Sequence, residues 1–451
     1  MQRHFLGRFV HTPRCGDVSI LEDTLVSVAD DGTIDTVTNP ESADYPLALE
    51  HAEQSGALYC ADAHTCFLPG FIDLHVHAPQ WPQLGEALHL PLEQWLQECT
   101  FPLEARFADL GFACPVYDSL VPNLLANGTT TAVYFATIHI EATLALAASC
   151  VRHGQRAVVG KVSMDEAQQC PVYYRDPSAL ASVDGSREVV ERIRSLHGNE
   201  HALVQPSITP RFIPSCTDAA LDQLGQLAGQ LGTYVQTHCS ESDWEHQFVL
   251  NRLGRSDTTA LHDFGLLNRR TVLAHANFVS DADLALMSQV GAGIAHCPLS
   301  NVFFADSVFP LRQALDAHVH VGLGTDIAGG PSASMFDSCR HAITSSRILD
   351  AGTDPSRPMA VRGRANSRID FREALWLATV GGGEVLDQRL GLFAPGYQFD
   401  ALLIDPNQRG SNITSSGNTF DVDTVQSMLF GAGRVNIAQV WTNGVARELK
   451  V

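Results

Sequence analysis

Apolar and polar positions alternate in two different rhythms along this chain. Up to about residue 64 the apolar residues fall in short runs, FLGRFVHT, TLVSVADDG and GALYC, broken by Gly and Asp turns. That pattern predicts strands of a small β domain. From about residue 67 to 380 each short apolar run ends in polar residues and leads into a longer stretch. The runs are FLPGFIDLH, TTTAVYFAT, RAVVGKVSM, ALVQPSITP, TYVQTHCSE, TVLAHANF, GAGIAHCPL and HVGLGTDIA. Between them, segments such as TDAALDQLGQLAGQL and DADLALMSQV space their apolar residues as helices do. Repeated β-then-α units predict a parallel sheet, and eight of them predict a closed barrel. The tail, with FDALLID and IAQVWTNGVARE, returns to short strands and is expected to pair with the N-terminal ones. The predicted fold is α/β: a (β/α)8 TIM-type barrel over residues 67–380, with a small discontinuous β domain built from residues 1–66 and 381–451.

Composition narrows the function classes. The 451 residues exceed one ordinary domain and suit an elaborated barrel of roughly 300 residues plus an accessory domain. Fifty acidic residues against 29 basic ones give a formal charge of -21. Such a surface repels phosphate backbones, so no nucleic-acid partner is expected, while a free base or small neutral heterocycle remains open. The eleven cysteines form no CxxC pair and read as reduced thiols of a cytoplasmic protein. The segment MQRHFLGRFV lacks a signal-type apolar core, and no apolar run of about 18 residues predicts a membrane span.

The candidate chemistry sits where the predicted barrel strands end, the face on which barrels place active sites. His75 and His77 close the first run. Residues two apart in a strand share a side, so both imidazoles can reach one centre. The fifth run ends in His238 and Glu241, the sixth in His275, the eighth in Asp326. A lone histidine is usually a satisfied polar group. Four histidines and an aspartate at one barrel mouth instead fit a catalytic Zn²⁺ or Fe²⁺ site with an open position. Glu241, three residues past His238, is placed to move a proton beside the metal. The fourth run lacks the lysine that bridges two-metal barrel sites, so one metal is expected, and Lys161 reads as a structural contact. Other motifs fail. His139-Ile140-Glu141 is followed by no P-C-x-x-C, and Gly322-Leu323-Gly324 lacks the third glycine of a dinucleotide fingerprint. His296, at the end of the seventh run, fits a supporting or a structural role equally.

With these residues in place, PGFIDLHVH, THCSE, LAHANF and GLGTDIAGG resemble the amidohydrolase superfamily. PGFIDLHVHAPQ, TFPLEARF, NGTTTAVYFATIH, VGKVSMD, TPRF and AHCPLSN narrow the resemblance to its guanine deaminases. The resemblance implies one zinc per chain, held by the residues matching His75, His77, His238 and Asp326, with Fe²⁺ as the alternative ion. It implies His275 facing the attacking hydroxide and substrate, catalysis by Glu241, His275 and Asp326, and purine contacts from Gln80, Arg211 and Phe212 besides His238, Glu241 and His275. It further implies hydrolysis of guanine to xanthine and ammonia, and a homodimer. The segment DEAQQCPVYYR at 165–175 departs from the family pattern and is where substrate preference could drift, toward a pterin, 8-oxoguanine or a triazine. A non-catalytic scaffold is the remaining rival, and it would be expected to have lost metal ligands.

Overall fold

The computed structural model describes residues 2–414 and 419–449. All eight apolar runs form barrel strands: β1 (Phe71–His77), β2 (Thr129–Phe135), β3 (Arg156–Gly160, continued by Val162–Ser163), β4 (Val204–Pro210), β5 (Tyr234–Cys239), β6 (Thr271–His275), β7 (Gly293–His296) and β8 (His320–Leu323). They pair in parallel in sequence order. The seam between β8 and β1 is closed just past the last strand, where Asp326 N–H donates to His75 O and His77 N–H to Ile327 O, each at 2.8 Å.

Parallel strands covered on both faces read as near-continuous apolar runs, and these strands are buried along almost their whole length. Inside the barrel, Ile72, Leu74, Val133, Val158 and Val272 pack against Val385, Leu386 and Leu390. The helix Gly382–Val385 plugs that end. It comes so close that a Cβ on Gly293 would sit 2.6 Å from Val385, and one on Gly322 would sit 2.9 Å from the Gly382 backbone. The outer helices start and stop on local signals. Asp218–Leu231 is capped by the Thr217 hydroxyl and ended by left-handed Gly232. Asp281–Val290 carries a Ser280/Asp283 capping box and ends at left-handed Gly291.

The second sheet runs Val445–Arg447, Ile437–Thr442, Ala401–Ile404, Cys66–Pro69, Arg3–His11, Ser19–Val28, Ile34–Thr38, so the two ends of the chain interleave as the sequence predicts. Its core is aromatic: Phe5 stacks on Phe399 at 4.0 Å and Phe9 on Phe67 at 4.5 Å. Three features differ from the sequence reading, the first being that the stretch from Gly382 to Leu390, expected in the small domain, packs inside the barrel. The run FLPGFIDLH is divided at Gly70, with Cys66–Pro69 in the small sheet and Phe71–His77 in the barrel. Both halves are fully buried, so hydrophobicity alone carries no sign of the break. The small domain also bears two helices, Tyr45–Ser55 and Val422–Gly431. Among the described residues no helix is long and apolar enough to cross a membrane, and all eleven cysteines are free.

Candidate active site

At the C-terminal mouth of the barrel, β1 delivers His75 and His77 from the same side of one strand, β5 delivers His238, β6 delivers His275, and the turn after β8 delivers Asp326. The strands leave their extended paths at these points. His275, Asp326 and Ser240 all adopt left-handed backbone, with φ of 71°, 52° and 46°. Such conformations cost about 1–3 kcal/mol each in a residue with a side chain, and they persist where the surroundings over-determine them. His275 and Asp326 join the cluster from these turns, while the Ser240 hydroxyl donates to Asp257 at 3.0 Å.

The polar atoms converge tightly. The Nε2 atoms of His77 and His238 lie 3.0 Å apart. Asp326 Oδ1 is 3.2 Å from His75 Nε2 and 3.6 Å from His77 Nε2, and Asp326 Oδ2 is 3.8 Å from His275 Nε2. Glu241 Oε1 lies 3.6 Å from His275 Nε2. Overlapping triads of these donors fall within 4.8 Å of one another: His75, His77 and His238; His75, His275 and Asp326; His238, Glu241 and His275.

A divalent cation fits this set. Among the described residues, Nε2 of His75 and Nε2 of His275 are buried with no hydrogen-bond partner, an arrangement that needs something to face them. Burial drives the imidazoles of His75, His77 and His238 well below their ordinary pKa, and neighbouring cationic groups lower them further, so the neutral ligating form is favoured. The Nε2 atoms of His77 and His238, 3.0 Å apart, would both be available to one shared cation. Burial, then the charge of Asp326, pushes the Glu241 carboxyl well above the usual carboxylate range, which suits a group that accepts and returns a proton.

Supporting bonds fix the rings. His238 Nδ1–H donates to Arg211 O at 2.6 Å, turning its Nε2 inward, and His275 Nδ1 is 2.9 Å from Asn301 Oδ1. Asp73 accepts from the Thr325 hydroxyl at 2.5 Å and from Thr325 N–H at 2.9 Å, which pins the turn that carries Asp326.

Beside the cluster opens a cavity lined by His77, His238, Glu241 and Asp326 together with Gln80, Arg211 and Phe212. Leu92, Trp95, Leu96 and Phe304 complete its walls. All the residues singled out in the sequence for metal, catalysis or substrate therefore lie at one place. Three supporting residues were not singled out: Asp73, Asn301 and Glu104. Each sits inside a quoted family motif, and each is a polar group in or beside an apolar run. Buried at such positions, a polar side chain needs a partner, and that is the signal that could have found them. The Lys161 ammonium pairs with Asp176 at 2.8 Å and belongs to none of the triads above, which is consistent with a structural contact. His296 is buried against Phe309, and burial pushes its imidazole down to about 3. In the 165–175 segment Cys170 and Tyr174 pack behind the cavity wall with Phe101 and Phe212, while Val172 and Tyr173 are 80% and 55% exposed.

Comparison with known proteins agrees with this geometry. The sequence pattern of the amidohydrolase family matches residues 67–446. The chain is 37% identical to the probable guanine deaminase of Schizosaccharomyces pombe, across 98% of this chain and 82% of that protein. It is 35% identical to the guanine deaminase of Dictyostelium discoideum, across 98% and 97% of the two chains. The crystal structure of guanine deaminase from C. acetobutylicum, with guanine bound in its active site, superposes with a TM-score of 0.86 at 28% identity, covering 99% of this chain and all of that one. The chain belongs to the amidohydrolase family, in the branch of its guanine deaminase relatives.

Proposed function

We propose that this chain deaminates guanine by hydrolysis, releasing xanthine and ammonia, with one Zn²⁺ per chain. The observation that carries the reading is the cavity itself: its lining combines a metal-ligating cluster and a proton carrier with Gln80, Arg211 and Phe212, which can meet a flat heterocycle. Relatives that are guanine deaminases over nearly their whole length support it. His75, His77, His238 and Asp326 would hold the cation, a donor set suited to Zn²⁺ or Fe²⁺. A single ion is favoured because β4 supplies no lysine and Lys161 is engaged by Asp176. When bound, the cation supplies Lewis acidity that brings a water's pKa down to about 7.

The chain's own groups do the rest. Phe212 forms an apolar face for the ring. Arg211 holds the 6-oxygen and Gln80 another edge of the ring, which leaves the amino-bearing C2 turned toward Glu241 and His275. Asp326 and His275 orient the attacking water. Glu241 takes its proton as the oxygen bonds to C2 and passes that proton to ring N3. As the C2–amino bond breaks, Glu241 takes the remaining proton from the oxygen now on C2, which becomes the 2-oxo group, and gives it to the departing nitrogen, which leaves as ammonia. A guanidinium has donors and no acceptor, so Arg211 pairs with the 6-oxygen of guanine and leaves the 6-amino group of adenine unsatisfied. The formal charge of -21 supports action on a free base and not on a polynucleotide. The test is ammonia release from guanine, adenine, 8-oxoguanine, a pterin and an aminotriazine. Guanine is expected to lead by orders of magnitude, and a pterin or triazine in that place would overturn the substrate assignment.

A further inference from the structure

Behind the cavity a third residue holds both groups that face the substrate edge. Glu104 is fully buried. Its carboxylate accepts from Gln80 Nε2 at 2.9 Å, from Arg211 Nη1 at 2.6 Å and from Arg211 Nη2 at 3.2 Å. It stands on a five-residue helix, Phe101–Ala105, entered from a π-turn at Leu96–Thr100 and left through a 3₁₀ turn at Arg106–Ala108. Single π-turns are frequent at functional sites, and this one leads into the short helix whose Glu104 carboxylate meets Gln80 and Arg211.

The bonds leave Gln80 no choice of orientation. Its Nε2 donates to Glu104, and its Oε1 accepts from Ala328 N–H at 3.2 Å. Flipping the amide would set oxygen against carboxylate and N–H against N–H. What remains for a ligand is one N–H and one lone pair in fixed directions. The Arg211 guanidinium spends one N–H from each terminal nitrogen on Glu104 and lies 5.0 Å over the Phe101 ring, so its plane is fixed as well. The pair is also electrically neutral, and both partners are almost wholly buried. That balance matters for the reaction proposed above. Guanine is neutral, whereas xanthine is the stronger acid and carries more negative charge at neutral pH. A bare guanidinium at the ring's edge would hold the product more tightly than the substrate.

We infer that Glu104 is a positioning residue of the purine site, orienting Gln80 and Arg211 toward the ring and cancelling the guanidinium's charge, so that a neutral aminopurine is held and its more acidic product is let go. The inference rests on the guanine reading. A residue that served only to neutralise a buried arginine would, when replaced, weaken every ligand together. A residue that sets the charge of the site would, when replaced, weaken one ligand and strengthen another.

The experiment compares the metal-loaded wild type with Glu104→Gln and Glu104→Asp, measuring guanine kinetics, xanthine inhibition, metal content and thermal unfolding. In Glu104→Gln, kcat/KM for guanine should fall about a hundredfold, while the xanthine inhibition constant drops about tenfold or more with metal content unchanged. In Glu104→Asp the charge is kept but the reach to both partners is lost. Guanine turnover should fall about tenfold and xanthine inhibition should stay as in the wild type. Weaker binding of guanine and xanthine in parallel would overturn the proposal. So would a Glu104→Asp variant that behaves as wild type throughout, and this second arm decides the matter if Glu104→Gln fails to fold. A wild type that releases no ammonia from guanine would instead sink the functional reading on which the proposal rests.

Discussion

His275 faces two carboxylates, 3.6 Å from Glu241 and 3.8 Å from Asp326, and the proposed mechanism divides the labour between those two acids. Glu241 is the proton carrier. Its backbone is held independently of its side chain, the N–H by Glu245 at 2.7 Å and the carbonyl by Asn277 at 2.8 Å. Glu241→Gln should therefore keep its place and its metal while kcat falls roughly 10²–10⁴-fold. Near-normal turnover would hand the proton to another group. Arg211 gives a second prediction at this scale. Arg211→Lys keeps a charge opposite Glu104 but loses the planar fork. Its kcat/KM should fall further for guanine than for 2-aminopurine, which lacks the 6-oxygen, and an equal loss on both would place specificity elsewhere. The residues that converge at the barrel mouth were legible in the sequence because strand ends advertise them as polar residues closing apolar runs. Glu104, Asn301 and Asp73 were not, because their role lies in what they touch: Glu104 meets Arg211 across 107 residues and Asp73 meets Thr325 across 252.

Elements show the same division between what is local and what is not. The strands and the helices Asp218–Leu231 and Asp281–Val290 were legible because periodicity, caps and left-handed glycines are properties of a short stretch. The break at Gly70 was not, because which sheet a buried strand joins is decided by distant partners, here Ala401–Ile404 for one half and β2 for the other. The atypical 165–175 segment is likewise positioned by a contact at its end. Asp176 Oδ1 accepts from Lys161 on β3 at 2.8 Å, its Oδ2 accepts from Met164 N–H at 3.1 Å, and its own N–H donates to Met164 O at 2.7 Å. Asp176→Ala strands a buried ammonium and should cost about 3–5 kcal/mol in urea unfolding. Adding Lys161→Met to that variant should recover much of the loss. A double variant no more stable than the single one would show that the segment is held by packing alone.

At the scale of the whole molecule, the two ends of the chain meet in one sheet docked beneath the barrel. Arg156 on β3 reaches Asp400 at 3.2 Å and also Asn443, and His11 on the N-terminal strand accepts a bond from Phe393 N–H at 3.2 Å. Burial lowers His11 from 6.5 to about 4. Between those values the unfolded chain binds a proton that the folded chain does not, so stability falls as pH drops from 6.5 to about 4 and levels off below that. The contribution is about 3 kcal/mol at most. His11→Asn can accept the same bond without titrating, so its unfolding temperature should fall less steeply across that window. An unchanged slope would assign the acid sensitivity to other groups. The central claim joins fold, metal and chemistry in one statement: a single ion at the barrel mouth drives removal of the amino group from guanine. Its most direct test is titration of metal-free protein with Zn²⁺ while following ammonia release from guanine. Activity is predicted to rise linearly and break at one equivalent per chain. No ammonia at any loading, or a break at two equivalents, would contradict it.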